Sequence, residues 1–364
     1  MHTRFLRINQ SATPSRQTAI RIQPMVARAM IVAAWLLVFG NPALSFSHQQ
    51  LESWEGRRVM VVREGVQFRV KGESKNVPAP LGTILEVSSV NGQWLWFKGQ
   101  RGWMEQKDVV PYDKAIDHFT AEIQRDPSTQ AYRERGIAHA AMTNFDKAIP
   151  DFTEAINRDP NDVATYNDRG NAYRALGQLD EALTDFTTAI DRGVRHPAVF
   201  TNRGLVWAEK EDHDKALADF NSAISIDDRF APAWDAGGAV REAKGDFARA
   251  IANYKKALEV DPNFDRAHNN LGWIMATNPG AQYRNAQAAI RHATKACELT
   301  SYDDAGYLDT LAAAYAEAGQ FDEAVKWAKK ALDKVSPEQK EAIGERLQLY
   351  EMKSPFRHTR ELRV

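Results

Sequence analysis

The chain has 364 residues, 43% of them hydrophobic and 26% charged, the composition of an ordinary soluble protein with room for two or three domains. Its net charge of −1 conceals five arginines and no acidic residue in the first 47 positions, which leaves about −6 on the rest and no basic footprint for nucleic acid. The single cysteine, Cys297, excludes an intramolecular disulfide and a cysteine-rich metal site.

At the N-terminus, Arg21 to Arg28 lead into the apolar run Ala29 to Phe39, which Gly40, Asn41 and Pro42 break. Small residues follow as far as Ser47. A basic region, a short apolar run and small residues in this order read as a secretory signal peptide over residues 1–47. The run is short of the roughly 20 residues that span a bilayer. An uncleaved N-terminal anchor is the alternative, and Met25 would make a normal start. Either reading places the remainder outside the cytoplasmic membrane, as a periplasmic, secreted or cell-envelope protein, with membrane contact only if the segment stays uncleaved.

Residues 51–112 change character. Val59 to Val62, Val66 to Val70, Thr83 to Val87 and Trp94 to Phe97 are short β-rich runs separated by Gly72, Pro78, Pro80, Gly82 and Asn91-Gly92. Five short strands in so few residues suggest a small barrel, because closure removes exposed edges. The order Leu81-Gly82-Thr83, Asn91-Gly92-Gln93-Trp94, Arg101-Gly102-Trp103-Met104 and Asp108-Val109-Val110 resembles a bacterial SH3-like domain. Strand alternation puts Leu95 and Phe97 on one face and Trp94 and Trp96 on the other. With the first pair inside, the two tryptophans either form a groove or pack on helices downstream. The resemblance implies a ligand of cell-wall peptide or a protein segment.

Residues 113–352 are built on a ladder of glycines, Gly136, Gly170, Gly204, Gly238 and Gly272, each 34 positions after the last. Ala148, Ala182, Ala216 and Ala250 form a second ladder, Ala155, Ala189, Ala223 and Ala257 a third, and Phe152, Phe186, Phe220 and Tyr254 stand between them. Such a period denotes stacked helix pairs, with small residues at helix crossings and an aromatic between neighbouring pairs. Tyr166, Gly170 and Tyr173, then Ala182, Phe186 and Ala189, resemble the tetratricopeptide repeat family, as do Phe200, Gly204 and Trp207 and the later units. The expected fold is mainly α, a helix-turn-helix solenoid of one half repeat and six whole ones. Asp-Pro pairs such as Asp159-Pro160 are expected to stop one helix and start the next. In the fifth repeat Thr277-Asn278-Pro279-Gly280 marks an inserted loop. Pro337 to Tyr350, with Ser336 as N-cap, is expected to close the stack, and residues 353–364 to form a flexible basic tail with little to bury.

Catalytic signatures are missing: no phosphate-binding glycine loop, no Gly-x-Ser-x-Gly and no His-Glu-x-x-His. The chain therefore reads as a non-enzymatic scaffold or adaptor, with no cofactor and no catalytic or metal residue. Arg135, Arg169 and Arg203 recur before ladder glycines, their expected role being a packed stem with the charge reaching solvent or an inter-repeat acid. In the family the first helix of each repeat lines a concave groove. By position this assigns Arg133, Asn167, Thr201, Asp235 and Asn269, then Ile137, Asn171, Leu205, Ala239 and Trp273. Asn167, Asn171, Arg174 and Asn202 are the candidates for binding a protein or peptide. Trp94 and Trp96 are the candidates under the alternative, a cell-envelope module in which the helices are a spacer.

Overall fold

A computed structural model describes residues 54–70, 77–335 and 337–358, which fall into two compact units with the division between Arg125 and Asp126. The signal or anchor segment, Gly72 and Ser336 lie outside the described residues.

Among its described residues the first unit holds eight strands: β1 (Arg58–Val61), β2 (Gln67–Val70), β3 (Val77–Pro78), β4 (Ile84–Glu86), β5 (Ser89–Asn91), β6 (Trp94–Phe97), β7 (Gly102–Glu105) and β8 (Val109–Pro111). Helix α1 (Ala115–Arg125), the half repeat, belongs to this unit rather than to the array that was expected to begin at residue 113. Pairing gives two antiparallel sheets, ordered β4-β1-β8 and β3-β2-β7-β6-β5, and closure into one barrel is not among the pairings of the described residues. Strands β3, β5 and β8 have two or three residues each, too few for alternation to reveal them. The reading of β6 holds: Leu95 and Phe97 are buried with Val59, Val61, Phe68 and Met104, while Trp94 and Trp96 are half-buried on the other face.

The second unit contains six helix pairs: α2 (Thr129–Ala141) with α3 (Phe145–Arg158), α4 (Val163–Ala175) with α5 (Leu179–Asp191), α6 (Pro197–Glu209) with α7 (His213–Ile226), α8 (Ala231–Ala243) with α9 (Phe247–Val260), α10 (Asp265–Thr277) with α11 (Ala286–Leu299), and α12 (Ala305–Glu317) with α13 (Phe321–Leu332). Helix α14 (Pro337–Glu351) follows, packed on α13. Starts are set by side-chain caps: Ser128, Asp162 and Asp304 each accept a backbone N–H of the first turn. The Asp-Pro pairs stop a helix but do not start the next. Pro160 lies in the turn, and α4 begins at Val163 behind its cap Asp162. Proline stands at the first helical position in α6, after His196, and in α14, where Pro337 begins the helix.

The ladder has a direct steric cause. A Cβ placed on Gly136, Gly170, Gly204 or Gly238 would lie 2.6–2.9 Å from a ring carbon of Phe152, Phe186, Phe220 or Tyr254 in the same repeat. The aromatic thus seats on its own pair's glycine as well as against the neighbouring pair, where Phe186 meets Val199 and Val206.

The arginine ladder has a different partner from the one expected. Arg135, Arg169 and Arg203 each make a two-pronged pair with an aspartate of the same repeat, Asp151, Asp185 and Asp219, at 2.6–2.8 Å. Arg169 and Arg203 also donate to Thr153 and Thr187 of the preceding repeat. The Arg169 and Arg203 guanidinium groups therefore each tie three helices, and all three arginines keep 16–23% of the side chain exposed.

The chain after α14 departs from the expected free tail. Through His358 it is fixed: Ser354 donates to the Leu349 carbonyl at 2.8 Å, and Phe356 packs on the core around Trp273. Residues 359–364 lie outside the described residues. No helix among the described residues is long and apolar enough to cross a membrane.

Candidate functional site

The first helix of each pair carries a seam of polar contacts one repeat apart. Arg133 Nε donates to Asp168 Oδ2 at 2.9 Å, Asn202 Nδ2 to Asn167 Oδ1 at 3.1 Å, and Arg174 Nη2 to Glu209 Oε1 at 2.6 Å. Asn270 Nδ2 donates to Asp235 Oδ1 at 2.9 Å, and Arg266 closes the other side of that carboxylate. Each contact spans adjacent first helices, so it sets their stacking.

The structure brings Asn167 and Asn202 together and places Asn171 on the same helix as Arg174. Arg174 is engaged by Glu209, a partner that spacing from the glycine ladder could have shown. Thr201, Leu205, Asp235 and Asn269, expected to line a groove, are buried instead. Thr201 turns its hydroxyl to the Pro197 carbonyl at 2.9 Å. Burial pushes the Asp235 carboxyl above the ordinary carboxylate range, against the opposing pull of Arg266 and Asn270. Arg133, Asn167, Ile137, Asn171 and Ala239 are half-buried, and Trp273 is covered by the C-terminal segment.

A carboxamide has two donor hydrogens and an acceptor oxygen with two lone pairs. The Asn167–Asn202 contact uses one donor of Asn202 and one acceptor position of Asn167, and Asn167 also hydrogen-bonds Asp168, so only part of the row's capacity is left for a ligand beside Asn171. Such a row can hold the alternating N–H and C=O groups of an extended chain. It contains no nucleophile paired with a base. Cys297 offers none, because burial pushes its thiol up to about 12. Among the described residues no group of three or more His, Cys, Asp or Glu could hold a metal ion.

In the first unit the half-buried face has a third member. Trp103 on β7 stands opposite Trp96, ring centroids 5.1 Å apart, and the Arg69 guanidinium lies 4.3 Å over Trp94. Alternation in Gly102-Trp103-Met104 carried the signal for Trp103.

One histidine pair stands apart from the seam. His268 Nδ1 lies 2.9 Å from His292 Nδ1, and His268 Nε2 lies 3.1 Å from the Pro262 carbonyl. With His268 Nε2–H donating to that carbonyl, its Nδ1 accepts from His292 Nδ1–H, which makes His268 neutral. Burial first, and the repulsion that would arise with His268 if both rings were protonated second, lower His292 from 6.5 to about 4. An unfolded chain binds this proton more readily, so the neutral pair's contribution is present above the unfolded value of 6.5 and lost as pH falls towards 4. The melting temperature should therefore fall between pH 7 and pH 4.5, and His292→Gln should flatten that slope. A slope unchanged by the substitution would show that other groups carry it.

Tetratricopeptide repeat models match residues 129–162, 167–232 and 305–334, and a model described as TPR repeat matches residues 238–278. No curated protein matches the chain. Among solved structures the fold is similar to a chain of the APC/C hetero-tetramer Cut9-Hcn1, at 16% identity and a TM-score of 0.58, covering 66% of this chain and 46% of that one. The chain thus spans under half the length of that relative. A tetratricopeptide repeat protein from Parabacteroides merdae matches at 15% identity and a TM-score of 0.47 over 66% of this chain and 92% of its own. YrrB, described as a TPR protein with an unusual peptide-binding site, matches at 16% identity and a TM-score of 0.37 over 64% and 98%.

Proposed function

The chain is a tetratricopeptide repeat protein, and from that premise we propose that it is an exported scaffold whose first helices bind an extended peptide segment of a partner protein. Proteins of this family are typically scaffolds for proteins or peptides and are generally non-enzymatic. The observation that carries the reading is the amide row: Asn167 and Asn202 paired across adjacent first helices, with Asn171 half-buried beside them. Arg174, held by Glu209, then acts as a fixed wall of the site rather than a free cation. Export rests on the basic and apolar pattern of residues 1–47 alone.

Peptides selected from a random display library on the whole chain should weaken about three- to tenfold with Asn171→Ala, the loss of one or two hydrogen bonds. Asn202→Ala should act in the same direction, with the helical signal at the assay temperature retained. Binding indifferent to both substitutions would remove the amide row from the site.

A second reading is favoured by the face of Trp94, Trp96 and Trp103 with Arg69 above it. Here the first unit is an SH3-like domain that binds cell-wall peptide or a protein segment on its aromatic face. Trp96→Ala in the whole chain should then abolish co-sedimentation with peptidoglycan, while Asn171→Ala leaves it intact.

A further inference from the structure

Residues 354–358 make specific contacts with the array. Helix α10 stops at Thr277, where the inserted loop turns away, so its last carbonyls have no partner in the helix. The C-terminal segment supplies partners. His358 N–H donates to the Thr277 carbonyl at 2.8 Å, and Arg357 Nη1 lies 3.4 Å from the Ala276 carbonyl. Arg357 Nη2 also stands 2.6 Å from Glu317 Oε2 at the end of α12, where Arg284 Nε holds the other oxygen at 3.0 Å. Phe356 lies over Trp273, ring centroids 5.9 Å apart, and the Arg346 guanidinium caps both rings at 5.6 and 5.4 Å. Trp273 is one of the positions at which the first helix of a repeat was expected to meet a ligand.

Each of these contacts is of a kind that any extended peptide of the right pattern can make. One is a main-chain N–H on a helix-end carbonyl, one an aromatic ring on Trp273, one a guanidinium against Glu317 and the negative end of α10. None belongs to a folded element of the segment itself. Phe356 is only half-buried, and the Arg357 side chain is 32% exposed. The segment is tethered to α14 and so competes at an effective concentration on the order of millimolar, which a free peptide must overcome with further contacts along the array.

We propose that the surface formed by Trp273, the C-terminal carbonyls of α10 and Glu317 is a second peptide site, specific for an extended partner segment with an aromatic residue followed by arginine, and that residues 354–358 occupy it as a displaceable internal ligand. This rests on the reading of the array as a peptide-binding scaffold and names the chemistry of its C-terminal part.

The test uses the whole chain with Phe356→Ala and Arg357→Ala together, which vacates the surface without touching the array. The probe is a labelled synthetic peptide of the sequence from Ser354 to Val364, followed by fluorescence anisotropy. It should bind the double variant and bind the unaltered chain at least about tenfold more weakly. Glu317→Gln in the double variant, or Arg357→Ala in the peptide, should each weaken binding about tenfold. Asn171→Ala should leave it unchanged. Equal binding to both chains, or none to a double variant of unchanged helical signal, overturns the inference. If library-selected peptides still respond to Asn171→Ala in that case, the amide row stands and this site alone falls. A concentration-dependent dimer of the unaltered chain, lost in the double variant, would assign the surface to exchange of tails between copies and overturn the partner assignment.

Discussion

Arg203→Ala should lower the stability of the array by about 3 kcal/mol, because it strands a buried carboxylate. Asp219 has a 7% exposed side chain, and both its oxygens accept from Arg203 at 2.8 Å. Thr187 loses its donor at the same time. The fourth repeat shows how the chain manages without this pair. Gly237 stands where the arginine would be, and Asn253 stands where the aspartate would be, its Nδ2 donating to the Trp234 carbonyl at 3.2 Å. Both partners change together, and the buried group that remains is neutral. Adding Asp219→Asn to Arg203→Ala should therefore restore at least half of the loss, even though it removes a second native side chain. The measurement is the urea midpoint by circular dichroism, compared across the single and double variants, since stacked repeats need not unfold in one step. A double variant no more stable than Arg203→Ala would mean that the loss is packing of the arginine stem and not the orphaned charge.

The same comparison explains what the sequence could and could not reveal. The glycine, alanine and aromatic ladders are steric requirements that recur wherever two helices cross, so a single chain repeats them and they can be read by counting. The polar pairs are also periodic, but they join residues 16 or 35 positions apart, and each half taken alone looks like an ordinary surface charge. Arg169 was visible as a recurring residue, while Asp185 was hidden among the other acids of its helix. Asn167 and Asn202 were singled out as ligands for a peptide, and they are in part ligands for each other. In the first unit, alternation sorted Trp94 and Trp96 from Leu95 and Phe97 correctly, but it could not give the sheet order, which depends on pairings between distant strands. The C-terminal segment was the least legible part. Phe356 and Arg357 belong to no repeat, and their partners Trp273 and Glu317 lie on two other helices.

Phe186→Ala should destabilise the array by about 3–5 kcal/mol, the range for removing a fully buried ring whose surroundings cannot collapse. Its ring is walled by Ala182, Val199 and Val206, and on the remaining side by Gly170, where an added Cβ would stand 2.9 Å from the ring. That last contact gives the prediction a sign change. In the unaltered chain Gly170→Ala sets a gain of about 1 kcal/mol in helix propensity against an overpacking penalty of about 1–3 kcal/mol. The neighbour that must yield is a rigid ring in a cluster of buried side chains, so the net effect should be destabilising. In the Phe186→Ala background the ring is gone, the penalty vanishes, and Gly170→Ala should stabilise by about 1 kcal/mol. The difference between the two backgrounds is the coupling energy of the glycine and the aromatic, measured by a double-mutant cycle on urea midpoints. Gly170→Ala with the same effect in both backgrounds would mean that the glycine ladder is not there to seat the rings.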